Sequence, residues 1–113
     1  MTTDTAALAR TYFTAWKDKD FETLGSILAD DVTFRGPLGT ADNKAEALRG
    51  LEGMSEIMTD IVIDKMLVDG PDVMTWFHLH STVAEPSATV NWSHVENGKI
   101  SRIRVTFDAR AFM

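Results

Sequence analysis

A chain of 113 residues is long enough for one domain, with a single core or one enclosed pocket. Its 44% apolar content is that of a globular protein, and a net charge of −6 argues against nucleic-acid or membrane partners, which need a basic face. The absence of cysteine excludes disulfides, thiolate catalysis and cysteine-held metals, and fits a cytoplasmic location.

The start, MTTDTAALAR, lacks the basic-then-apolar order of a signal peptide, and no apolar run reaches the ~18 residues that cross a bilayer. Residues 4–18 predict a first helix, capped by Thr3 or Asp4, with Leu8, Tyr12, Phe13 and Trp16 at helical spacing. Asp20 then opens a second helix over residues 20–29, with Phe21, Leu24, Ile27 and Leu28 on one side. DVTFRGP is a strand that stops at Pro37, which has no N–H for a ladder, and GPLG bends the chain into a third helix over residues 43–57. Asp42 or Asn43 caps that helix, and Gly50 and Gly53 are expected to fray it. From Ile61 onward four strands follow, IVIDKMLVDG, DVMTWFHLHSTV, ATVNWSHVE and KISRIRVTFD, separated by turn signals at DGPD, AEPS and ENGK. No repeat or linker interrupts residues 1–113, so they form a single domain.

Three helices followed by a meander make an α+β domain. A curved, mainly antiparallel sheet must cover its apolar face, and only the helices can do so. Such a cone leaves room for a small ligand between sheet and helices.

Two stretches, AWKDKDFETLGSILADDVTFRGPLG and VENGKISRIRVTFD, resemble the nuclear transport factor 2-like superfamily, closest to its SnoaL-like branch. The resemblance runs through nearly the whole chain. It implies a cystatin-like cone, and it extends to isomerases, cyclases and epoxide hydrolases as well as to proteins that only bind. In the ketosteroid isomerase branch, a catalytic Asp stands just before the proline; the matching residue here is Gly36. The branch's oxyanion hole implies Tyr12 as one donor and Asn91 as the other. Limonene epoxide hydrolases and SnoaL-type cyclases carry an acid inside the last strand, where this chain has Val105 and keeps only the later Asp108. Asp108 is expected to accept hydrogen bonds from backbone or arginine groups.

Period-two alternation sorts the strands into faces. A hairpin about Glu85 would set Leu79 opposite Asn91 and Phe77 opposite Ser93. The helix-facing side then carries Phe77, Leu79, Asn91, Ser93, Val105 and Phe107. The outer side carries Trp76, His78, Trp92, His94, Arg102 and Arg104. The expected cavity wall is Tyr12, Trp16, Phe34, Met58, Phe77, Leu79, Asn91 and Val105. His78, His80 and His94 share a face but show no strand acid beside them, so no metal is expected; His78 would serve as a base only if the parity were reversed. Arg49, Glu52 and Glu56 read as a solvated helix face. The sequence therefore points to a protein that binds a small hydrophobic molecule and needs no cofactor. The alternative is a small enzyme acting on a hydrophobic carbonyl, epoxide or polyketide-like substrate. The outer aromatic and arginine face points to a homodimer.

Overall fold

The computed structural model describes residues 4–112. Thr3 lies outside that range, and Asp4 is the cap: its carboxylate accepts the Ala7 N–H at 3.2 Å and opens α1, Thr5–Lys17. Asp20 likewise takes the Thr23 N–H at 3.1 Å to open α2, Phe21–Ser26. The second helix is shorter than its apolar spacing predicts. Leu28 already belongs to β1, Leu28–Gly36, where it pairs with Ile100, and the Ile100 N–H donates to the Ile27 carbonyl at 2.8 Å. A sheet partner distant in sequence thus outweighs the local helical pattern.

GPLG is a hairpin turn and not a direct bend into the third helix. Gly36 pairs with Gly39 across Pro37 and Leu38, and β1 continues into the short β2, Gly39–Ala41. Asn43 then caps α3, Lys44–Ser55, by accepting the Glu46 N–H at 2.9 Å, while Glu46 reaches back to the Asp42 N–H at 2.9 Å. The helix runs unbroken through Gly50 and Gly53. Neither glycine is packed where a side chain would be, and the buried Ala47, Leu51 and Ser55 hold the helix in place. Trp16 fastens α1 to α3 by donating its indole N–H to the Leu51 carbonyl at 2.9 Å.

Four long strands complete the chain: β3, Met58–Asp69; β4, Asp72–Ser81; β5, Ser87–Glu96; and β6, Lys99–Thr106, followed by a 3₁₀ turn at Arg110–Phe112. The six strands form one curved sheet in the order β2-β1-β6-β5-β4-β3, antiparallel except between β1 and β6. This is the expected α+β cone, with three helices on the concave side. Among the described residues no helix is long and apolar enough to cross a membrane.

The β4–β5 register corrects the expected hairpin. Asn91 lies opposite Thr75, Ser93 opposite Val73 and Leu79 opposite Ser87, so the loop centres on Val83 and not on Glu85. The slip is four residues, and because it is even every side chain keeps its predicted face. The closed end of the cone is solid: Leu24, Leu28, Val32, Ile100 and Ile103 are all fully buried there. The other end is hollow.

Candidate functional site

The hollow is a cavity of about 170 Å³. Tyr12 and Trp16 reach it from α1, Phe34 from β1, Phe77 and Leu79 from β4, Asn91 from β5 and Val105 from β6, the last four on the face that the alternation predicts. Met58, also expected on the wall, does not line it. As the first residue of β3 it packs into the core instead, and Met54, a helical turn earlier in α3, takes the place at the cavity.

Asn91 on the wall is joined to a polar neighbour behind it. Ser93 donates its hydroxyl to the Asn91 carbonyl oxygen at 2.9 Å, with both residues buried on β5. Burial pushes the Tyr12 hydroxyl well above its usual pKa, and a hydrogen bond with the Asn91 side chain opposes that shift only in part. Tyr12 therefore stays protonated, with the Asn91 side chain as its hydrogen-bonding neighbour. Among the described residues no buried side-chain nitrogen or oxygen lacks a partner, so the inner face carries this polarity without strain.

The two positions at which the resemblance implies an acid carry none, although both lie on the wall. Gly36 has no side chain; a Cβ there would stand 3.1 Å from the Phe34 ring and 3.7 Å from the Val105 Cβ. Val105 is apolar. Glu46, a residue absent from the expected wall, also borders the cavity, while its carboxylate accepts the Asp42 N–H. Its signal was the Asn-x-x-Glu spacing of a capping box, which ties the side chain to the start of α3 beside the β1–β2 turn. Thr40, Ser87, Thr89 and Phe112 also join the wall; three come from strand ends whose register had not been fixed, and Phe112 from the 3₁₀ turn.

The histidines lie outside the cavity. His78 points to the convex face, with its Nδ1 2.6 Å from Asp64, so it cannot be a base for the hollow. His94 Nδ1 lies 2.7 Å from an Asp72 oxygen that also accepts the Trp92 indole N–H at 2.9 Å. The acids missing from the linear pattern are therefore present. Asp64 enters at an irregularity in the β3–β4 pairing, and Asp72 is the rung opposite His94. His78 pairs across to Ala88, far along the strands from His94, so the three histidines do not converge. Asp108 lies just past β6, where its pairing with the Arg110 side chain and N–H lowers its pKa to about 2.

One row of the convex face crosses the sheet as Leu67, Met74, Trp92, Arg104 and Arg35. Trp76 and Val90 lie in the next row. Trp76 and Trp92 are 48% and 41% exposed, and Leu67 is 59% exposed, which makes this a continuous apolar band.

A family model for the SnoaL-like domain matches residues 9–103. No curated protein matches the chain. Among solved structures, a Xanthomonas campestris protein of unknown function with a cystatin-like fold superposes with a TM-score of 0.83 at 26% identity, covering 93% of this chain and 91% of that one. A candidate ketosteroid isomerase from Kribbella flavida gives 0.80 at 24%, over 92% and 77% of the two chains. An LEH-like epoxide hydrolase from M. tuberculosis gives 0.79 at 19%, over 93% and 83%.

Proposed function

The chain belongs to the SnoaL-like domain family, and from that premise we propose that its cone holds a small, largely apolar molecule bearing one hydrogen-bond acceptor, without turning it over. The observation that carries this reading is the wall itself: a protonated Tyr12 hydroxyl backed by Asn91 and Ser93, with Gly36 and Val105 where chemistry of the isomerase or epoxide hydrolase kind would place its acid. The donor can orient a carbonyl, and neither Gly36 nor Val105 can take a proton. The volume supports a ligand of about one ring, because an enclosed apolar hole of about 150 Å³ already admits benzene.

The alternative, a small enzyme acting on a carbonyl, epoxide or polyketide-like substrate, rests on one observation. Glu46 is the acid on the wall, and it would have to replace His78 as the base. We also read the convex band as the contact of a homodimer, since Trp76, Trp92, Met74 and Leu67 form an exposed apolar strip that a second copy would cover.

The test of binding is a cyclohexanone titration followed by amide and side-chain NMR. Shifts should centre on Tyr12 and Asn91, and Tyr12→Phe should weaken binding about three- to tenfold, the worth of one hydrogen bond. Shifts confined to other surfaces, or an unchanged affinity in the variant, would remove the reading. A wild-type rate above solution background on a monocyclic β,γ-unsaturated ketone would establish the enzymatic alternative, with Gly36→Asp as the comparison.

A further inference from the structure

We propose that Phe112 sets the length of the molecule the cavity takes, an inference that rests on the binding reading above. A second, more open recess lies beside the cavity, and three side chains border both hollows: Leu38, Met54 and Phe112. They form the partition. On the far side the recess continues over Gly53, Ile57 and Val83, an apolar floor that could receive a chain but offers no place for a polar head.

The partition differs from the rest of the wall in how it is held. Tyr12, Phe77 and Asn91 stand, buried, on a long helix and on paired strands. Leu38 sits in the two-residue β1–β2 turn and is 43% exposed, and Met54 is a flexible thioether near the end of α3. Phe112 follows the last rung of β6, Val90 opposite Thr106. Its own backbone bond is local, from its N–H to the Ala109 carbonyl at 2.9 Å, and the Asp108–Arg110 pair closes the turn just before it. What docks this turn on the body is side-chain packing: the Phe112 ring meets Phe107 edge-on, with centroids 5.7 Å apart, and leans on the core. Of the three, it is the bulky residue whose backbone is not tied into the sheet or a long helix. Displacing its ring opens its share of the partition and breaks no strand pairing.

The chemistry that follows is a slender ligand with a carbonyl head at Tyr12 and an apolar tail directed at Phe112. Each methylene buried raises affinity about fourfold, so the gain should continue until the tail meets the ring and then stop. The experiment is calorimetry on a homologous series of straight-chain methyl ketones, from short to long. Wild type should climb about fourfold per carbon and level off. In Phe112→Ala the plateau should move to longer chains, and in Phe112→Trp it should arrive earlier. Arg110→Gln loosens the turn and keeps the ring, so it should leave the plateau in place and speed dissociation. Phe112→Trp fills space where alanine empties it, so the pair decides the matter even if one variant folds poorly. A wild type that binds the ketones with a plateau that neither Phe112 variant moves overturns the partition alone. A wild type that binds none of them at Tyr12 and Asn91 overturns the binding reading, and the partition falls with it.

Discussion

The two faces of strands β4, β5 and β6 invert the usual division of labour. A sheet covered on one side should alternate apolar-in with polar-out. Here the covered face buries Thr75, Thr89, Asn91 and Ser93, while the open face exposes Met74, Trp76 and Trp92. Thr89, Asn91 and Ser93 are hydrogen-bonded, and Thr89 and Asn91 border the hollow, so they persist without a large penalty. The outer exceptions have nothing over them. Polarity where packing is expected and apolar area where solvent is expected are more telling than either class in its ordinary place.

The largest expected effect tests whether the inner face is one material throughout. Ile103→Ala removes a fully buried side chain from the solid end and should lower stability by about 2–5 kcal/mol in urea titration. Val105→Ala, two residues along the same face and already beside the cavity, should lower it by less, because its neighbours are incomplete before the change. Equal losses would show that the hollow end packs as tightly as the solid one.

The next effect concerns the outer face. Trp76→Glu places a charge in the apolar band and should weaken self-association by about thirtyfold or more, on the order of 2 kcal/mol, while leaving the fold intact. Sedimentation at micromolar concentration measures it. A wild type of monomer mass would end the homodimer reading, and a variant that still pairs would move the contact elsewhere.

Which parts of this comparison the sequence discloses follows from the range of the forces involved. Caps and alternation act locally, so Asp20 and the inward placing of Phe77 and Asn91 can be read directly, while the other two caps are narrowed to a pair of neighbours each, of which Asp4 and Asn43 serve. Leu28 could not be placed, because its partner Ile100 lies far along the chain and overrides a good helical pattern. The register of Asn91 depended on a loop whose centre no residue marks uniquely, and parity survived only because the slip was even. Asp64 and Asp72 stayed hidden for the same reason, being set beside their histidines by cross-strand pairing and not by spacing. Glu46 went unread although its spacing from Asn43 is that of a capping box, and that it also borders a cavity is a tertiary fact.

The smallest expected effect separates the faces by proton and not by packing. Against the inner face stands Tyr12 of α1, which burial keeps protonated, so mild acid leaves that hydroxyl unchanged. The outer face is ordered around Asp72, whose carboxyl is held below its usual pKa first by the hydrogen bond from His94 and then by the one from Trp92, with burial acting weakly against them. Glu96 and Arg102 face the same histidine and complete the local charge set. A carboxyl depressed in the folded state stabilises fully above its unfolded value, near 3.9, and its contribution is lost as pH falls through the lower folded value. Stability should therefore decline as pH drops below about 5 and continue to decline past 3.9. Asp72→Asn keeps an oxygen for the Trp92 indole and removes the charge. It should cost up to about 1 kcal/mol at neutral pH, flatten the acid limb, and converge with wild type at the acid end, as read by thermal melts from pH 7 to about pH 3. If the two proteins lose stability in parallel over that range, Asp72 is not what orders the outer face, and the apolar band must be held by its own packing.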